Sequence, residues 1–393
     1  MLQKRKIPFD ILDSIRGIAS LYVAVAHCRG VLWIGGSEFL KKFPRETWDA
    51  WDYMMFGTSM LTRLAVEFVI VFFVLSGFSI AHSLSSDKSP LQFYKRRFIR
   101  IYPSYLVALV WAGAVFLLTR YWHPDWYNGE IIKAAGEAGI DADNITYARS
   151  DEMKTYFNGT QVIKNIFYLP GKGYITPFWS LTYEVIFYLL APFLLRKVNL
   201  YAVVSFLLFL ANLAAPDRVQ ALNMPVPVYE FLFVYNVYFV IGILLYTHYH
   251  KIRELTSGIT KQQMIAMLLF LLAAMYAVNF YFRIETAWSF MVSAGLGAVL
   301  ILFFLRYEVR IPWLMNVGRY SYTLYITHFA SVFLYLGLYR LIFKPDQPYI
   351  LNYFIWMPAV AFILVIAWLQ YQLVEKRTKE LLNILRRKSL QSV

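Results

Sequence analysis

Long apolar runs alternate with short polar or basic ones along the whole chain. Runs of membrane-crossing length fall at 11–34, 61–82, 99–120, 178–196, 199–214, 229–249, 262–281, 286–305, 319–341 and 350–374. Each comes close to the ~20 apolar residues a helix needs to cross about 30 Å of hydrocarbon. The pattern predicts an all-α polytopic membrane protein with about ten transmembrane helices in one bundle. It fills residues 1–393 as a single integral domain, with 375–393 as a basic cytoplasmic tail. Only Arg196-Lys197 separates the fourth run from the fifth.

The first run is unlike the others because it carries Asp13, Arg16 and His27. Eleven residues separate Arg16 from His27. At 100° per residue that spacing puts both on one helix face, roughly 16 Å apart along the axis. Asp13 and Ser20, three before and four after Arg16, join that face and make a polar stripe on an apolar helix. Ionisable groups in such a segment line a bundle interior and mark a ligand or proton pathway. Lys4-Arg5-Lys6 ahead of the run looks like the start of a signal peptide, but the run is too long and has no small-residue cleavage pattern, so it reads as an uncleaved first helix.

Composition agrees with the pattern. Of 393 residues, 59% are hydrophobic, 19% aromatic and only 16% charged, which excludes an ordinary soluble globule. Mean hydropathy is +0.49 and the isoelectric point is near 9.5. A net charge of +14 would suit nucleic acid, but the cations sit in short clusters between apolar runs, so they set topology and no nucleic-acid partner is expected. With inner loops taking most of the Lys and Arg, both termini are cytoplasmic. The single cysteine, Cys28, excludes an internal disulfide. The polar outer loop at 121–177, with short helices expected at 130–139 and 161–168, is a candidate lid or acceptor platform. Its Trp122, Trp126, Tyr127, Tyr147 and Tyr156 suit stacking on sugar rings, or equally an interfacial belt. Asn144-Ile145-Thr146 and Asn158-Gly159-Thr160 fit the N-glycosylation pattern.

Depth along the helices brings further groups together. His27 lies about 24 Å out from the inner end of its run, and Glu184, about 9 Å in from the outer end of a helix running the other way, reaches a similar level. Glu67 and His328 come near it too. Glu184 reads either as a partner of His27 or as a carboxylate that pairs with a Tyr or Arg to hold helices together. Glu67 follows Arg63 by four residues, so an ion pair is at least as good a reading as catalysis. Ser321, Tyr325 and His328 form a stripe at i, i+4 and i+7, an interior seam or a site wall. Arg97 and Arg100 share a helix face able to grip phosphates, although positive-inside topology alone accounts for the cluster. Ser76-Gly77 suggests close helix packing, and the sequence places no base near Ser76.

Five runs together resemble the integral-membrane acyltransferase-3 family, which O-acylates sugars and other acceptors from acyl-CoA. They are Leu12-Asp13-Ser14-Ile15-Arg16-Gly17-Ile18-Ala19 with His27; Phe72-Phe73-Val74-Leu75-Ser76-Gly77-Phe78; Arg97-x-x-Arg100-Ile101-Tyr102-Pro103; Trp179-Ser180-Leu181-Thr182-Tyr183-Glu184; and the run from Gly318 to His328. The resemblance implies a ten-helix core, cytoplasmic acyl-CoA as donor substrate with no tightly bound cofactor and no metal, and His27 and Arg16 as essential residues. Relatives that append an extracytoplasmic esterase-like domain leave open a homo-oligomer or a separate extracytoplasmic partner for this chain.

Residues and resemblance give one expectation. Acyl-CoA enters from the cytoplasm onto Arg97, Arg100 and Arg16, with Asp13, His328, Tyr325, Trp179 and Ser180 as further substrate contacts. His27, oriented or charged by Glu184, acts as general base or transient acyl carrier toward the hydroxyl of a carbohydrate, most simply in acetylation of a surface polysaccharide at the inner membrane of a bacterium. The alternative is a proton-coupled transporter or flippase, against which stand the lack of an internal repeat and of paired broken helices. A structural or receptor-like role fits the density of intramembrane charge less well.

Overall fold

A computed structural model describes residues 7–85, 89–139, 158–169, 173–281, 286–344, 350 and 352–382. The described residues form helices and connecting turns with no strand. The long helices are α1 (Leu12–Leu32), α2 (Gly36–Lys42, short), α3 (Ala50–Leu61), α4 (Ala65–Ser85), α5 (Pro90–Trp122), α6 (Gly159–Ile166, short) and α7 (Trp179–Leu194). There follow α8 (Val198–Ala214), α9 (Asn236–Thr247), α10 (Lys261–Tyr276), α11 (Thr286–Arg306), α12 (Pro312–Arg319), α13 (Ser321–Phe343) and α14 (Trp356–Gln370). Local chemistry sets their starts. Asp49 with Asp52 and Thr260 with Gln263 form capping boxes for α3 and α10, and Pro312 opens α12, where its missing N–H costs nothing.

Eight helical stretches are long and apolar enough to cross a membrane: Ala50–Ser85, Pro90–Trp122, Ile175–Ala214, Val226–Thr247, Lys261–Phe280, Ala287–Arg306, Ser321–Phe343 and Tyr353–Leu382. The chain is an integral membrane protein. Two features account for the difference from about ten expected passes. The first run is a helix, α1, which is not among the eight. The fourth and fifth runs both lie in Ile175–Ala214, where a 3₁₀ turn at Leu195–Lys197 joins α7 to α8. Forty helical residues would extend about 60 Å, the length of two passes.

The chain divides into two compact units: Met1–Ser20, Val66–Phe98 and Ser180–Ser321 form the first, and Leu21–Ala65, Ile99–Trp179 and Tyr322–Val393 the second. In the first, glycines let backbones touch. A Cβ on Gly77 would stand 2.0 Å from the Phe239 carbonyl oxygen, and one on Gly242 would stand 1.9 Å from that of Val74, so α4 and α9 cross at these two residues. Gly17 against Leu314 and Gly318 against Asp13 join α1 to α12 in the same way. The packing expected of Ser76-Gly77 is therefore present, and two of the five motif runs meet at Gly17 and Gly318.

In the second unit Tyr325 donates to the Pro177 carbonyl (2.7 Å), tying α13 to the turn that enters α7, and Trp111 donates to Ser331 (3.0 Å), tying α13 to α5. The short helices expected in the outer loop stand at Glu130–Glu137 and Gly159–Ile166. Asn158 caps the latter by accepting from the Thr160 N–H (3.0 Å), so this member of the glycosylation pattern is a helix cap; Asn144, Tyr147 and Tyr156 lie outside the described residues. Trp126 and Tyr127 are buried, with Trp126 stacked on His123 and the Tyr127 hydroxyl bonded to Thr119, so neither ring offers a face to a sugar as the platform reading expected.

Candidate active site

His27 stands on α1 in the second unit, and His328 faces it from α13 of that unit: Nδ1 of His27 lies 2.7 Å from Nε2 of His328, with the rings parallel to within 3°. Backbone geometry decides which nitrogen carries which hydrogen. Nδ1 of His328 points at the carbonyl oxygens of Tyr325 (2.8 Å) and Leu324 (3.1 Å), one turn back on its own helix. Carbonyls only accept, so that nitrogen holds the hydrogen, and the Nε2 of a neutral His328 is a lone-pair acceptor. His27 must then donate through Nδ1–H, which leaves its Nε2 as a bare lone pair. Nε2 of His27 has no protein partner among the described residues. His328 is buried and His27 half-buried, with Phe329 edge-on to the His27 ring at 5.2 Å. The outcome is a basic nitrogen aimed away from its support, its ring held by a second imidazole that is itself anchored on a helix backbone.

The first unit holds most of the carboxylates singled out from the sequence. Arg16 donates to Asp13 (2.7 Å) and to Ser79 (3.0 Å), so α1 and α4 share its guanidinium. Glu184 accepts from Ser76 (3.0 Å) and from Tyr188, and the Arg97 guanidinium stacks over the Tyr188 ring at 5.4 Å. The carboxylate partner that Ser76 lacked in the sequence thus arrives from 108 residues away. Glu67 accepts from Ser289 (3.0 Å) and Asn279; Arg63 precedes the start of α4 at Ala65, so helical i, i+4 spacing does not join it to Glu67. Ser20 bonds back to the Gly17 carbonyl (3.3 Å) on its own helix instead of extending the polar stripe.

The structure brings His27 and His328 together, and Asp13 with Arg16. Glu184 and Arg97 gather with Ser76 and Tyr188 in the first unit, while His27 belongs to the second. Arg100 follows Arg97 on α5 and is half-buried, and Tyr325 spends its hydroxyl on Pro177. Trp179 and Ser180 open α7, with Ser180 buried and Trp179 half-buried. Sequence reasoning missed Tyr188, Ser79 and Arg29. Tyr188 stood one turn after Glu184, a signal available in the spacing; Ser79 had none.

The chain matches a family model described as an acyltransferase domain over residues 9–371. Acyltransferase MdmB of Streptomyces mycarofaciens is 26% identical over 303 residues, which is 70% of this chain and 71% of that protein. Protein 2 in the picA locus of Rhizobium radiobacter is 31% identical over 114 residues, 28% of this chain and 46% of the relative. No solved structure matches.

Proposed function

The chain belongs to the acyltransferase-3 family, and on that premise we propose that it moves an acetyl group from cytoplasmic acetyl-CoA to a hydroxyl of an extracytoplasmic or lipid-linked carbohydrate. Family membership decides for a membrane acyltransferase over the transporter alternative. The observation that carries the chemistry is the open Nε2 of His27, opposite an Nδ1–H fixed on His328. Nε2 takes the proton of the acceptor hydroxyl as its oxygen attacks the thioester carbonyl. The imidazolium so formed keeps its Nδ1–H on His328, a neutral acceptor. When the tetrahedral intermediate collapses, the C–S bond breaks and the CoA sulfur takes the proton from Nε2, returning His27 to its starting state. His328 stands where a third group orients the base in a nucleophile–base–orienter set.

Arg97 and Arg100 on α5, with Arg16 on α1, hold the donor's phosphates; Asp13 and Ser79 set the angle of Arg16. Glu184, bonded to Ser76 and Tyr188, is the second catalytic group, and Tyr325, Trp179 and Ser180 are further substrate contacts. The setting is the cytoplasmic membrane of a bacterium. Membranes containing the protein, given labelled acetyl-CoA, are expected to place label in glycan as an alkali-labile ester, and His27→Ala to lower that rate by about 10²–10⁴-fold while inserting normally. Undiminished labelling by His27→Ala would overturn the role of His27, and label moved across the membrane without covalent product would overturn the reaction.

A further inference from the structure

Arg29, two residues beyond His27 on α1, is 9% exposed, and its Nε donates to the Thr62 hydroxyl at 2.9 Å. Its two terminal nitrogens have no protein partner among the described residues, and neither does it meet any carboxylate there. Three arginines are compensated by contrast: Arg16 by Asp13, Arg310 by Asp10, and Arg306 by the carbonyls of Thr256 and Ser257. A second cation, the exposed Arg63, adds positive charge within electrostatic range of Arg29. The phenol of Tyr353 is another neighbour of Arg29. Trp33, one turn on, is 2% exposed, stands edge-on to Tyr353 at 5.2 Å, and has an indole N–H without a partner. The region therefore holds unspent donors and positive charge, all within the second unit.

A guanidinium anchored through Nε keeps its other edge as a planar two-donor fork, the shape that meets a carboxylate or phosphate in two parallel hydrogen bonds. Arg29 stands two residues beyond His27 on the same helix, about 3 Å of rise, so an anion held there lies at nearly the depth of the open imidazole nitrogen. We propose that Arg29, oriented by Thr62, binds the anionic group of an acidic acceptor, a sugar carboxylate or sugar phosphate, at the depth of His27. The donor's own phosphates carry the same chemistry. The acceptor is favoured because Arg29 lies past His27 in the direction away from Arg16, the residue given to the donor. The inference rests on the acyl-transfer reading for its purpose, but anion binding is testable without turnover.

The purified full chain in detergent is heated with D-glucuronate, inorganic phosphate, D-glucose, or sodium chloride of matched ionic strength. Glucuronate or phosphate should raise the unfolding temperature where glucose and chloride do not. Arg29→Gln should weaken that response at least tenfold, with Arg29→Lys between the two. An absent response in the unsubstituted protein, or an equal one in Arg29→Gln, overturns the site and leaves Arg29 as a snorkelling side chain. A transfer assay then compares methyl glucuronide with methyl glucoside. Arg29→Gln should raise the KM for the glucuronide tenfold or more without moving the KM for acetyl-CoA or for the neutral glycoside. A raised acetyl-CoA KM instead would assign the anion to the donor and overturn the proposal. No transfer by the unsubstituted protein to either sugar would count against the carbohydrate reading, while the heating experiment still decides the anion site.

Discussion

Glu67 and His27 are both ionisable groups in membrane helices, and the structure treats them in opposite ways. Glu67, in the first unit, is buried and tied between helices, with Asn279 and Ser289 both donating to its Oε1. His27, in the second, is held through one nitrogen and open at the other. Such ties recur in the first unit: Tyr183 with Glu230, and Tyr201 with Asn236 and Ser205. A buried polar group whose hydrogen bonds are met joins helices; one with an unspent lone pair or donor is ready for a ligand. Ionisability alone does not separate the two cases, whereas the state of the remaining valences does.

Substitutions test that contrast. His328→Ala should cut kcat about 10–100-fold with little change in the KM for acetyl-CoA, the usual worth of a group that orients a working imidazole. His328→Gln keeps an acceptor for the His27 N–H and should recover part of the loss; no difference between the two variants would sink the orienting role. Arg16→Gln comes next, with a rise of about tenfold in the acetyl-CoA KM for one lost charge-assisted contact. An effect confined to protein yield would make Arg16 a structural partner of Asp13 and Ser79. The smallest effect is expected from Glu67→Gln, which keeps the carbonyl oxygen that Ser289 and Asn279 meet and should leave the transfer rate within about threefold. A collapse of transfer in a well-folded Glu67→Gln protein would break the distinction between tied and open groups.

Particular residues show how far the sequence could be read. His27 announced itself as an imidazole in an apolar run, and His328 as part of a periodic stripe, but neither signal paired them across 301 positions. Depth counting set His27 level with Glu184, a measure of height along the helices that says nothing of azimuth, and it gave no sign of the bonds from Ser76 and Tyr188 to Glu184. Arg29 carried no signal of its own in the sequence, and only the fold shows that it meets no carboxylate among the described residues. Three π-turns, Phe231–Tyr235, Ala277–Tyr281 and Tyr371–Glu375, escaped the sequence altogether. They hold or adjoin the hydrogen-bonding partners Glu230, Asn279 and Glu375, and an extra residue in a helical turn leaves no mark on hydropathy.

The sequence by itself determined the class of molecule: apolar length dictates helices that cross a membrane, and motif runs in a fixed order dictate the family. It also determined where α4 and α9 touch, since only glycine admits a backbone at Gly77 and Gly242. The tertiary structure alone decided which polar groups are spent. Hydrogen-bond satisfaction depends on the direction of a side chain toward a partner hundreds of residues away, and here it sets the tautomer of His27 through a carbonyl of Tyr325 and, among the described residues, leaves Arg29 without a counter-ion.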